Sequence, residues 1–333
     1  MQTHPVGPSM SQNYRPKLGL ALGSGSARGL AHIGILKQLG QLGIRPDIIC
    51  GSSAGSLIGA VSVLGKTQEL SDWIQQLSKA DILRYMDIKL VASGGFANGN
   101  NLIEHLEQTF GNPLIESLHP RFAAVATDLR TGREIWLQSG PIWEAVRASI
   151  AFPGLFTPVA LRHYWLVDGG LVNPVPVSIC RAMGADVIIA VNLNGNLVGR
   201  AANSRPQGNN RSSPHPAKEE EQDPALLNRL SSNIKEKVQP LLDHWLNRDK
   251  DDVPAIFDVL AGSVNIMQDR ITRSRLAGEP ADVVLTPRLM DVGLMEFSRS
   301  AECISEGEAC VNRNENEILD AIGSAGRGSL DPE

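Results

Sequence analysis

The sequence predicts an α/β protein on a mostly parallel central sheet, followed by a helical C-terminal extension. Three observations predict it. Short apolar runs and helical segments alternate from residue 17 to residue 194, the rhythm of a parallel sheet with crossover helices. The first and last of these runs, KLGLALGS and DVIIAVNLN, are apolar along most of their length, as buried strands are. The chain has 333 residues, 42% hydrophobic and 20% charged, which is ordinary globular usage and enough for one large domain or two modest ones.

KLGLALGS (17–24) ends in glycine and reads as a strand. In ARGLAHIGILKQLGQLG (27–43), Leu30, Ile33, Ile35, Leu36 and Leu39 recur at roughly helical spacing, with Gly43 as the stop. IRPDIICGS (44–52) reads as a second strand and AGSLIGAVSVLG (54–65) as a buried helix. ELSDWIQQLSKA and GNNLIEHLEQTFG read as amphipathic helices. RFAAVATDL (121–129) and REIWLQSG (133–140) read as strands joined by a short RTG turn. PIWEAVRASIAFPG reads as a helix opened by proline and closed by Pro-Gly. PVALRHYWLVDGG (158–170) reads as one strand entering a glycine turn, PVPVSICRAMGA as a helix, and DVIIAVNLN (186–194) as a strand.

The composition then changes. Residues 1–16 read as a mobile polar tail, 17–195 as the main domain, and 196–224 as a disordered linker or insertion poor in apolar residues. Residues 225–323 read as a helical C-terminal region and 324–333 as a second mobile tail. Within that region Leu227, Leu230, Ile234, Val238, Leu241 and Trp245 form an apolar stripe that Pro240 should kink. With Arg229, Lys235, Lys237 and Arg248 nearby, the stripe suits either a membrane surface or packing on the domain. PAIFDVLAGSVNIMQDRITRSRLAG (254–278) reads as a helix, ADVVLTP (281–287) as a short strand, and 297–323 as helical.

Charge and cysteines exclude several classes. A net charge of −5 gives no basis for a nucleic-acid partner. Cys50, Cys180, Cys303 and Cys310 show neither CxxC pairing nor histidines at zinc spacing, so no metal site and no cofactor is expected, and a reducing compartment fits. The first residues lack an apolar signal-peptide core, and no stretch reaches the ~18 apolar residues of a membrane span. The expectation is a cytoplasmic protein, with peripheral contact at a membrane surface left open. Oligomeric state is not legible.

Three motifs carry chemistry. GSSAG (51–55) matches G-x-S-x-G and falls between a strand and a helix, where a nucleophile elbow belongs. Side chains at Gly51 and Gly55 would collide with the backbone of so tight a turn, and the helix start favours negative charge beside Ser53. The plainer alternative is a small-residue turn. Ser52 and Ser56 are explained as turn and cap residues. GSGSARG (23–29) also joins a strand to a helix. It can serve as an oxyanion hole of accessible amides, or as a simple glycine-rich connector. Arg28 occupies the sixth position of a dinucleotide fingerprint, where glycine is needed, and no Gly-Lys-Ser/Thr follows for a P-loop. Asp168, in WLVDGG, ends a strand before Gly169 and Gly170. It can act as a general base if buried near a serine hydroxyl, or simply begin an Asp-Gly turn.

A Ser-His-Asp triad fits poorly. His244 lies beside Trp245 on the apolar stripe, His215 in the linker, and His163 well back from the strand end. His32, on the helix after the glycine loop, reads as a structural contact.

The glycine-rich loop, G-x-S-x-G one βα unit later and D-G-G over a hundred residues on together resemble the patatin-like phospholipases. SIAFPGLFTPV (149–159) and DVGLMEFSRSAECISEG (291–307) add to the likeness, which covers roughly residues 17–195 and then the tail. The resemblance implies a three-layer α/β/α fold and a serine-aspartate dyad without histidine. Ser53 would be the nucleophile of a lipid acyl hydrolase working through an acyl-enzyme, and Asp168 its base. Amides of Gly25, Ser26, Ala27 and Arg28 would bind the oxyanion, with Arg28 holding the loop. The expected partner is a lipid or other ester, entering by a groove of helices around 68–110. A small-ester or thioester hydrolase and a non-catalytic scaffold are the alternatives. Many members carry three consecutive glycines where this chain has Ser24-Gly25-Ser26. Serine still offers an amide there but resists positive φ.

Overall fold

The computed structural model describes residues 15–89, 96–195 and 256–328. The chain forms a main unit, Met1–Ala201 with Leu260–Glu333, and a second, Ala202–Val259, of which 256–259 are described. The expected linker and the 227–245 stripe lie outside the described residues.

The main unit opens with β1 (Leu18–Leu22), a 3₁₀ turn (Ser26–Leu30), α1 (Ala31–Gln41), β2 (Ile48–Ser52) and α2 (Ala54–Val63). The stretch expected as one helix after α2 is two, α3 (Thr67–Gln76) and α4 (Lys79–Met86). Ser78 causes the break: its hydroxyl accepts the Asp81 amide, and the Asp81 carboxylate accepts the Ser78 amide, a capping box that starts a new helix. A short hairpin, β3 (Ile88–Lys89) and β4 (Phe96–Ala97), precedes α5 (Asn100–Phe110). Next come β5 (Arg121–Asp128), β6 (Glu134–Leu137) and α6 (Ile142–Ser149). The strand expected over 158–170 is instead a hairpin, β7 (Val159–Leu161) and β8 (Tyr164–Asp168). It turns at Arg162, whose φ is 55°. Then follow α7 (Val177–Ala182), β9 (Val187–Val191), α8 (Ile256–Gly278), β10 (Val283–Leu285), α9 (Ser300–Arg313) and α10 (Glu315–Gly328).

The main sheet runs β10-β9-β1-β2-β5-β8-β7, with β6 also on β5. From β10 to β5 every neighbouring pair is parallel. Alternation along the strands makes two cores. Leu18, Leu20, Leu22, Ile49, Phe122, Val187 and Ile189 face one side, with residues of α1, α2, α6 and α9. Ala21, Ile48, Cys50, Ala123, Val125 and Ala190 face the other, with Val177, Ile179 and Cys180 of α7. The result is three layers, and the C-terminal region contributes a strand and a helix to them.

Candidate active site

Strand β5 sets the site. It pairs with β2 over Arg121–Val125 and with β6 over Ala124–Thr127, so these partners occupy opposite edges. It pairs with β8 over Ala126–Asp128, which β6 also overlaps, so β8 shares the edge of β2. Because β2 is parallel and β8 antiparallel, they run toward each other and meet end to end. Ser52 pairs with Val125 and Asp168 with the next residue, Ala126.

Ser53 follows immediately, in the turn between β2 and α2. Its φ is 54° and ψ −123°, a conformation that costs a non-glycine residue of order 1–3 kcal/mol. The surroundings hold it there. A Cβ on Gly51 would lie 2.4 Å from the Gly55 carbonyl oxygen, and one on Gly55 would lie 2.1 Å from that of Leu22. Neither position admits a side chain. The Ser53 amide donates to Ser149 Oγ at 3.0 Å, and Ser56 Oγ donates to the Ser53 carbonyl at 2.7 Å. Ser53 itself stays partly exposed.

Asp168 is 0% exposed. Its Oδ2 accepts the Ser53 hydroxyl at 2.5 Å and its Oδ1 accepts the Gly170 amide at 2.7 Å. The Asp168 amide donates to the Ala151 carbonyl at 3.0 Å, and Thr127 Oγ1 donates to the Asp168 carbonyl at 2.8 Å. Burial raises its pKa to about 6, against the two hydrogen bonds that lower it. Gly169 passes the β5 backbone so closely that a Cβ there would lie 2.2 Å from the Val125 carbonyl oxygen.

The glycine-rich loop rises from the end of β1, beside this pair. Ser26 has φ 50°, so the serine does occupy the left-handed region that glycine tolerates better. Four amides were expected to face a substrate. Ala27 donates to the Leu294 carbonyl at 3.0 Å and Arg28 to the Gly25 carbonyl at 3.1 Å. Among the described residues, the amides of Gly25 and Ser26 donate no hydrogen bond. Arg28 is 2% exposed, and its Nη2 donates to Asn265 of α8 at 3.2 Å. Burial pushes its pKa down to about 10.

No histidine joins the pair among the described residues. His32 Nε2 lies 2.8 Å from the Gly23 carbonyl, so that nitrogen carries the proton and steadies the start of the loop. Burial lowers its pKa to about 4 and keeps it neutral. His163 sits in the β7–β8 turn rather than on a strand. Among the described residues, no cluster of three or more His, Cys, Asp or Glu could hold a metal ion, and no helix is long and apolar enough to cross a membrane.

Several groups escape sequence reading. Thr127 of β5, Ser149 of α6 and Ala151 just after α6 hold the pair, and Asn265 reaches the loop from α8. On the same helix Gln268 accepts from Asn194 Nδ2 at 3.1 Å. Ser149 and Ala151 fall in the SIAFPGLFTPV stretch of the likeness, but nothing in the local sequence assigns any of these residues its contact, because each contact is made by the fold.

A three-layer α/β sheet with a glycine-rich loop, a strained serine turn and a buried aspartate describes the patatin class. A family model of patatin-like phospholipases matches residues 20–181. Over 324 residues the chain is 32% identical to an uncharacterized NTE family protein of Mycobacterium bovis, covering 88% of this chain and 90% of that one. A Mycobacterium tuberculosis NTE family protein matches to the same extent. Lysophospholipase NTE1 of Coccidioides immitis is 35% identical over 199 residues, 57% of this chain and 12% of that protein. The chain belongs to the patatin-like phospholipase family, and its full-length relatives carry the NTE family name.

Proposed function

We propose that this protein is a lipid acyl hydrolase of the lysophospholipase type, working through Ser53 and Asp168. The observation that carries the reading is the 2.5 Å hydrogen bond from Ser53 Oγ to a fully buried carboxylate. Asp168 takes the hydroxyl proton as Ser53 Oγ attacks the ester carbonyl. A carboxylate desolvated to a pKa of about 6 is a stronger base than an ordinary one, and at neutral pH it remains ionised. The developing oxyanion accepts the amides of Gly25 and Ser26, the two of the four not already engaged. The proton passes to the leaving alkoxide, an acyl-enzyme remains, and Asp168 then deprotonates the water that releases the fatty acid. Relatives named as lysophospholipases support a lipid ester as substrate.

The test is hydrolysis of p-nitrophenyl esters of rising chain length and of lysophospholipids. The expected result is a long-chain optimum that Ser53→Ala abolishes. A wild-type rate unaffected by Ser53→Ala would end this reading.

A further inference from the structure

Arg147 stands apart from the residues used so far. It lies on α6 two residues before Ser149, is 8% exposed, and among the described residues forms no salt bridge. Its Nη2 donates to the carbonyl and the hydroxyl of Thr157, at 3.1 and 3.0 Å, and its guanidinium lies 5.7 Å from the Phe156 ring centre. Its Nη1 is buried and has no hydrogen-bond partner. Leaving a charged donor buried and unpaired is costly, so the group invites an acceptor.

The start of α5 lies against it. A Cβ on Gly99, the residue before the helix, would lie 3.6 Å from Arg147 Nε. No side chain caps α5, and its first turn holds no acidic residue. Among the described residues, the amides of Asn100, Asn101 and Leu102 donate no hydrogen bond. A helix start carries about half a positive charge and free N–H groups. The start of α5 and the Arg147 guanidinium, which carries the unpaired nitrogen, are therefore neighbours, with the Phe156 ring also against Gly99, and Asn100 is exposed there.

We propose that Arg147 and the N-terminus of α5 form a phosphate-binding site that holds the headgroup phosphate of a phospholipid while its ester lies at Ser53. This rests on the reading of Ser53 and Asp168 as the ester-cleaving pair. The link to that pair is α6 and the loop after it. Ser149 binds the Ser53 amide, Ala151 binds the Asp168 amide, and Phe156 and Thr157 flank Arg147. Arg147 and Ser149 thus belong to one turn of α6, and a few bonds of glycerol separate the ester from the phosphate in a lysophospholipid.

Two measurements test it. The first compares kcat/KM on lysophosphatidylcholine with that on the uncharged monoacylglycerol of the same chain. The ratio is expected to fall about tenfold in Arg147→Met and several-fold in Asn100→Asp, which sets a carboxylate at the exposed helix start. An unchanged ratio in Asn100→Asp overturns the proposal, whatever Arg147→Met does to folding. The second uses Ser53→Ala, free of turnover, and follows its thermal shift with glycerophosphocholine and with inorganic phosphate. Stabilisation by glycerophosphocholine that Asn100→Asp removes supports a headgroup site, even if the wild type cleaves no ester. Stabilisation by inorganic phosphate alone assigns the site to free phosphate and overturns the lipid assignment. No shift with either also overturns it.

Discussion

Ser53 and Asp168 lie 115 residues apart in the chain yet share a hydrogen bond, because β2 and β8 meet end to end along one edge of β5. The register places one strand end on Val125 and the other on Ala126. Ser53 is held there in a strained conformation and Asp168 is fully buried.

Removing either partner should remove the chemistry. Ser53→Ala and Asp168→Asn are each expected to lower kcat on a long-chain ester by roughly 10³-fold or more, with the circular dichroism of the folded chain retained. A rate within tenfold of wild type in Asp168→Asn would exclude that carboxylate as the base.

The rate should follow the ionisation of Asp168. The carboxylate must be charged to accept a proton, and its pKa is raised to about 6. Accordingly kcat/KM is expected to fall tenfold per pH unit below about 6 and to level off above it. A limb centred near 4 would show that burial does not set this group's affinity for protons.

The same shift bears on stability with the opposite sign. Asp168 is harder to ionise folded than unfolded, so its charged form destabilises the fold above pH 6, and that penalty fades as pH falls toward 4. The rise from 3.8 to about 6 is worth ~3 kcal/mol. Urea titrations should find Asp168→Asn more stable than wild type at pH 7.5, with the gap narrowing by pH 5. A gap that widens on acidification would contradict the assignment.

The elbow should reject a single methyl group. Gly55→Ala places a Cβ 2.1 Å from the Leu22 carbonyl oxygen, with backbone on both sides of the clash. A loss of about 2–4 kcal/mol is expected in denaturant unfolding, together with lost activity.

Asn265 should matter without approaching the substrate. Its Oδ1 accepts from Arg28, which has little other compensation for its burial. Asn265→Ala is expected to cost about 1–3 kcal/mol in stability. By loosening the loop that carries the Gly25 and Ser26 amides, it should lower kcat while leaving KM near its wild-type value. A change confined to KM would place Asn265 in substrate binding instead.

Much of this was legible in the sequence. Leu18 to Leu22 and Val187 to Val191 are apolar enough to declare buried strands, and the strand-turn-helix setting of GSSAG singled out Ser53. The β7–β8 hairpin was not legible, since Arg162 and His163 carry no glycine or asparagine to announce a turn. Asp168 was therefore found for an incomplete reason. It ends an antiparallel strand that faces β2, rather than a parallel strand beside it. The break between α3 and α4 was encoded in Ser78 and Asp81, three residues apart, but the helical periodicity around them obscured it. The contacts of Ser149, Thr127 and Asn265 were beyond reach, because a lone polar residue does not declare its partner.

The loop after β1 is fastened by late arrivals. Ala27 gives its amide to Leu294, Arg28 leans on Asn265, and α1 is crossed so closely by α9 that a Cβ on Gly34 would lie 1.9 Å from the Ile304 carbonyl oxygen. During synthesis, then, the serine and the aspartate leave the ribosome long before the parts that fix the loop beside them. The nascent chain passes through a stage in which Ser53 and Asp168 are both present but the partners that fix the Gly25–Arg28 loop are not. The loop reaches its final setting only near the end of translation, so the last third of the chain acts as a timer on the first.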